Sequence, residues 1–121
     1  MEKNGVVSVW AVCGFGADEL EEYTEYDYEN DCPSRFCIEN SISADDIDED
    51  FIEKAVFDRT FTDITELLVD FSYSGSFVSV LDGKKLPDNC CGAIAVYDYE
   101  HEGNKAENAD VVFIGSAEYS E

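Results

Sequence analysis

Thiols and imidazole are the side chains of this sequence with the most specific chemistry. There are five cysteines, Cys13, Cys32, Cys37, Cys90 and Cys91, and a single histidine, His101. A thiol becomes a nucleophile when a base or cation lowers its pKa, and only Cys90 and Cys91 lie near His101 in sequence. A small thiol-dependent enzyme on these three residues is one reading, and it requires one cysteine with a depressed pKa. The plainer reading, preferred here, is an exposed histidine in a charged, glycine-containing loop. Cys32 and Cys37, with Cys90, Cys91 and His101, also suggest a zinc site, but structural zinc pairs are spaced more tightly and recur as a second pair. No metal is expected, and an odd number of irregularly spaced cysteines fits ordinary thiols in a reducing cytoplasm.

Carboxylates are far more abundant: 29 acidic residues against 7 basic ones, a formal charge of −22 on 121 residues. From Asp18 to Glu53 there are fifteen acids and one base, Arg35. The run Asp46-Ile47-Asp48-Glu49-Asp50 begins like a calcium loop, but Phe51 and Phe57 stand where such a loop requires glycine and glutamate. No acid pair stands out for proton transfer, and Gly14-Phe15-Gly16 is a strand-to-helix turn rather than a phosphate cradle. The sequence therefore points to no enzyme, no cofactor and no metal. A field of this sign repels nucleic acid and anionic membranes, and Lys84-Lys85 is the only basic pair. A positively charged protein is the expected partner.

These residues need a scaffold, and 45% hydrophobic with 13% aromatic content is too apolar for a disordered acidic chain. One domain over residues 1–121 is expected, with no targeting segment and no apolar run that crosses a bilayer, hence a soluble cytoplasmic protein. Val6 to Cys13 reads as an interior strand covered on both sides. Ala17 to Asn30 reads as an acidic helix capped by Asp18, ended by Asp31-Cys32-Pro33, with one short turn over residues 34–41. Phe51 to Phe57 alternates in part, as an edge strand does. Phe61, Ile64, Leu68 and Phe71 recur at helical spacing, and Ser74 or Ser76 caps a last short helix through Leu81. Cys90 to Tyr99 and Val111 to Gly115 read as two strands of an antiparallel hairpin. The resulting fold class is α+β: a mainly antiparallel sheet of about four strands with two or three helices packed on it, in the order β-α-β-α-(α)-β-β.

Aromatics interleaved with acids (Tyr23, Tyr26, Tyr28) and with serines (Tyr73) suit an interface in which rigid rings anchor and carboxylates meet Arg and Lys, although such rings also pack cores. With these residues in view, the sequence resembles the immunity protein 22 family of bacterial polymorphic and contact-dependent toxin systems. The resemblance rests on Val7-Ser8-Val9-Trp10, Glu21-Glu22-Tyr23, Asp48-Glu49-Asp50-Phe51-Ile52-Glu53, Phe71-Ser72-Tyr73-Ser74-Gly75-Ser76-Phe77 and Val96-Tyr97-Asp98-Tyr99. It implies a small cytoplasmic protein that binds and neutralises a cognate toxin domain. Many such toxins are nucleases with basic clefts, so the resemblance and the charge together suggest an inhibitor that places carboxylates where phosphates would lie.

The expected toxin-binding surface is Asp45, Asp46, Asp48, Glu49 and Asp50 with Tyr73, Ser74 and Ser76. The acids supply steering and ion pairs, and Tyr73 a desolvated anchor. The rival reading of the serine segment is a structural turn buried by Phe71 and Phe77. The rival function is an acidic regulator, or nucleic-acid mimic, that sequesters a basic host protein. Oligomeric state is left open.

Overall fold

The computed structural model describes residues 2–14, 16–25, 29, 34–40, 42, 51–101 and 111–120. Its elements follow in the order β1 (Glu2–Cys13), α1 (Ala17–Thr24), α2 (Arg35–Glu39), β2 (Ile52–Val56), α3 (Ile64–Leu67), α4 (Ser74–Leu81), β3 (Cys90–Tyr99) and β4 (Val111–Glu118). The strands form one antiparallel sheet in the order β2-β3-β1-β4, an α+β fold as expected.

β1 is apolar on both faces and takes an interior place. Its Val7, Val9, Ala11 and Cys13 pack with Ile64, Leu67 and Leu68 of the α3 region and with Phe77 and Leu81 of α4. Its Trp10 and Val12 pack with Leu20 and Tyr23 of α1 and with Phe36 and Cys37 of α2. Period-two alternation thus sends one set of β1 side chains to each face, and helices cover both. Full burial of each large side chain contributes about 1.5–3 kcal/mol. Trp10 carries a polar group inward, and its indole N–H donates to the Asn40 side-chain oxygen at 3.1 Å. The Asn40 amide in turn donates to the Phe36 carbonyl at 2.9 Å.

Several expectations are corrected. β3 and β4 form no hairpin, because β1 lies between them and pairs with both. A strand that is apolar on both faces gains most when it is paired on both edges and covered on both sides, so β1 displaces the sequence-neighbour pairing. The acidic helix is capped by Gly16 rather than Asp18 and ends at Thr24, with Glu25 already extended. Asp18 and Glu22, like Glu21 and Glu25, are acids four apart, a repulsive spacing on a helix. The Thr24 hydroxyl also turns back to the Leu20 carbonyl at 3.1 Å. Asp31, Cys32 and Pro33 lie outside the described residues.

The periodic run from Phe61 to Phe71 is helical only over Ile64–Leu67, although Phe61, Ile64, Leu68 and Phe71 are all buried as their spacing requires. Thr62, Thr65 and Val69 are β-branched and Asp63 and Asp70 favour turns, so tertiary burial holds the face while the helix itself breaks.

Candidate functional site

The serine-rich segment builds the most organised surface feature among the described residues. Phe71 and Phe77 are buried on either side of it, as the structural-turn reading expects. Between them the chain reverses at Tyr73, whose φ of 60° and ψ of 14° are left-handed. That conformation costs a residue with a Cβ about 1–2 kcal/mol, so the surroundings must hold it. Tyr73, not a serine, is the N-cap of α4, and it makes no side-chain capping bond.

Three further elements hold this turn. Glu53 of the edge strand accepts the Ser72 N–H with its carboxylate, at 3.0 and 3.2 Å. The Tyr97 hydroxyl donates to the Ser72 carbonyl at 2.7 Å, with a Glu53 oxygen 3.2 Å away. The Tyr73 ring lies stacked on Tyr119, centroids 5.6 Å apart, and edge-on to Tyr97 at 6.0 Å. Tyr97 and Tyr119 meet edge to face at 5.1 Å. Asp98 accepts the Tyr119 hydroxyl at 2.7 Å and the Gly5 N–H at 2.9 Å, which locks the end of β4 against β1. Burial, and then the Glu53 carboxylate, push the Tyr97 hydroxyl far above the ordinary tyrosine range, so it stays a protonated donor.

Of the expected contact residues that are described, Tyr73 is exposed, at 45%, and Ser74 and Ser76 are half-buried. The Ser74 hydroxyl donates to the Val69 carbonyl at 3.1 Å. The Ser76 hydroxyl donates to the Tyr73 carbonyl at 2.8 Å and accepts the Ser120 N–H at 3.0 Å. Both serines therefore brace the turn that carries Tyr73. Asp45, Asp46, Asp48, Glu49 and Asp50 lie outside the described residues, as do Tyr26 and Tyr28. The outer side of this layer also exposes Val69 at 65% and Val80 at 59%. Sequence reasoning missed Glu53, Tyr97, Asp98 and Tyr119 as partners of this turn. Their separations along the chain carry no local signal, and the packing of Tyr73 against Tyr97 was not inferable from spacing.

The opposite layer carries the charge. Asp18, Glu19, Glu21 and Glu22 are exposed on α1, with Glu25 just beyond it and no base in the helix. Tyr23 packs inward rather than serving as surface, and its hydroxyl donates to Glu39 at 3.2 Å. Burial and the Glu39 charge raise its pKa well above the usual value.

His101 is placed differently from expectation. It is buried rather than an exposed loop residue. Its backbone N–H donates to the Ser8 hydroxyl at 3.0 Å, and its ring sits 5.0 Å from Trp10 and 4.7 Å from Phe113. The chain leaving β3 is thus drawn back over the α1–α2 side of the sheet by Ser8. Cys90 packs in the cluster on the other side, so the sheet separates it from the imidazole. Burial pushes the Cys90 thiol up, the reverse of what a nucleophile needs. Among the described residues no group of three or more His, Cys, Asp or Glu is placed to hold a metal ion. No helix among them is long and apolar enough to cross a membrane.

No curated protein and no solved structure matches the chain. Over residues 7–120 it matches the family described as Immunity protein 22.

Proposed function

The chain belongs to the immunity protein 22 family, and from that premise we propose that it neutralises a basic, nuclease-type toxin domain by covering the toxin's substrate cleft. An immunity function and a toxin partner follow from the family; the kind of toxin and the means of inhibition are our reading. A nuclease cleft is lined by Lys and Arg to hold phosphates, and a chain of charge −22 is drawn to it over long range. Inhibition on this reading is steric and electrostatic and consumes nothing.

The observation that carries the contact surface is Tyr73. It is an exposed ring held in a costly left-handed turn by Tyr119, Tyr97 and Glu53. A ring fixed before binding loses little entropy on docking, which is what an interface anchor requires. Asp45, Asp46, Asp48, Glu49 and Asp50 complete the proposed surface as the steering element, with Ser74 and Ser76 bracing the anchor. We place the complex in the cytoplasm, where a nuclease finds its substrate.

The test is to express candidate toxin domains found among the neighbouring genes with and without the chain, and to measure nucleic-acid cleavage and binding at low and high salt. The reading expects growth arrest relieved by the chain, cleavage suppressed in proportion to complex, and association that slows as salt rises. A silenced toxin with no nuclease activity would overturn the nuclease assignment. Capture of a non-toxic basic host protein in place of any toxin would favour the regulator reading.

A further inference from the structure

β2 is an edge strand, and its outer side faces a groove. The backbone N–H of Phe57, just past β2, donates to the Cys91 carbonyl at 2.8 Å. The register Ile52↔Val96 through Val56↔Gly92 continues to that pair. Hydrogen-bonded and non-hydrogen-bonded pairs alternate in an antiparallel ladder, so Glu53, Ala55 and Phe57 bond to β3. The backbone amides and carbonyls of Ile52, Lys54 and Val56 therefore point away from it. No strand among the described residues pairs with that side.

Along this edge runs a groove of about 420 Å³ lined by Ala17, Leu20 and Glu21 of α1 and by all five residues of β2. Successive strand side chains point to opposite faces: Ile52 and Val56 pack toward the α1–α2 cluster, and Ala55 toward the other. A groove lined by all five must follow the strand's backbone edge. Its floor offers Leu20, Ile52 and Val56, and its rim Glu21 among the exposed acids of α1.

We infer that β2 takes an added strand, an extended segment of the basic toxin partner that pairs with Ile52, Lys54 and Val56 and lays alternate side chains into the groove beneath α1. This rests on the immunity reading and names the backbone contact through which it acts. Charge selects the occupant: α1 presents Asp18, Glu19, Glu21 and Glu22 with no base, so basic side chains on the incoming strand meet carboxylates. A second copy of this chain is disfavoured, because pairing two β2 edges brings together two molecules of formal charge −22. Lys54 on the strand is also the usual guard against self-pairing.

The test is amide hydrogen exchange of the full chain, alone and with a toxin domain found among the neighbouring genes, combined with binding by Lys54→Pro and Lys54→Ala. Proline at residue 54 removes an outward amide without removing a β2–β3 bond, a position where edge strands tolerate it. Alanine keeps the amide and loses the charge. Expected are slower exchange at Ile52, Lys54 and Val56 in the complex and about tenfold weaker binding for Lys54→Pro than for Lys54→Ala. If the toxin is bound and silenced while those three amides exchange as in the isolated chain, strand addition is wrong and immunity stands. If no toxic domain binds, both fall. Protection that grows with the concentration of the chain alone would identify a second copy as the occupant and overturn the inference. The exchange measurement needs no variant, so misfolding of Lys54→Pro does not rescue the idea.

Discussion

α1 and α4 are both eight residues long, both lack a side-chain N-cap bond, and they cover opposite faces of the same sheet. Their outer surfaces are opposites. Four of the eight residues of α1 are acids, whereas α4, Ser74–Leu81, has no charged residue at all. Each still buries its lid residues, Leu20 and Tyr23 in one case and Phe77 and Leu81 in the other. The burial requirement therefore fixes only the inner side of a helix, and the outer side is left to other demands. Charge acts over roughly a Debye length and sets encounter rate; a rigid apolar surface acts on contact and sets lifetime. On the proposed reading of toxin binding, the two helices separate these tasks.

The comparison breaks first if α4 is dispensable. Phe77→Ala removes a fully buried ring from the larger cluster and is expected to cost about 3–5 kcal/mol by urea unfolding. A loss below about 1 kcal/mol would show that the α3–α4 layer is not integral to the fold.

Next in size is the strand that serves both layers. β2 faces the α1 groove with one side and sends Glu53 to Ser72 on the other. It lies so close to β3 that a Cβ on Gly92 would collide with the Ala55 carbonyl oxygen. Gly92→Ala is expected to cost about 1–3 kcal/mol, with faster amide exchange at Glu53 and Ala55. If exchange there is unchanged, β2 docks by other means.

Each face also buries a tyrosine hydroxyl whose pKa is raised, Tyr23 under α1 and Tyr97 under the α3–α4 turn, and both are held protonated. Their folded pKa values exceed the unfolded value of about 10, so above that pH the unfolded chain binds fewer protons than the native one. This contribution to stability is complete below about pH 10 and is lost as pH rises beyond it. Tyr97→Phe should cost about 1 kcal/mol at neutral pH through the lost bond to the Ser72 carbonyl, and should flatten the alkaline fall. An unflattened curve would assign the fall to groups other than Tyr97, Tyr23 among them.

The smallest expected stability effect is on the acidic helix. Glu22→Gln relieves repulsion from Asp18 and should stabilise the chain by roughly 0.3 kcal/mol while slowing toxin association. Tyr73→Ala should do the reverse in binding, leaving association unchanged and hastening dissociation at least tenfold. Stopped-flow kinetics at two salt concentrations separate the two, and equal effects on both rates from either variant would erase the division of tasks.

The strand signals in the sequence hold in the structure, whereas the Asp18 cap, the serine cap of α4 and the full Phe61–Phe71 helix do not. The largely apolar run Val6–Cys13 announced an interior strand, the partial alternation of Phe51–Phe57 an edge strand, and Cys90–Tyr99 emerged with those limits. The Phe61–Phe71 spacing identified the correct buried residues even where the helix is only four residues long. Of the proposed contact surface, Tyr73 could be read from its glycine-serine surroundings, but the brace of Glu53, Tyr97 and Tyr119 could not.

Charge, apolar periodicity and the family-bearing segments are properties of the chain itself, because each depends on residue types at fixed short separations. The tertiary structure alone decided that β1 divides β3 from β4, that Ser8 draws His101 over Trp10 on the far side of the sheet from Cys90, and that Glu53 meets Ser72. Each of those choices compares the burial and hydrogen bonding of one whole arrangement with those of another, and that balance is a sum over contacts between residues distant in sequence.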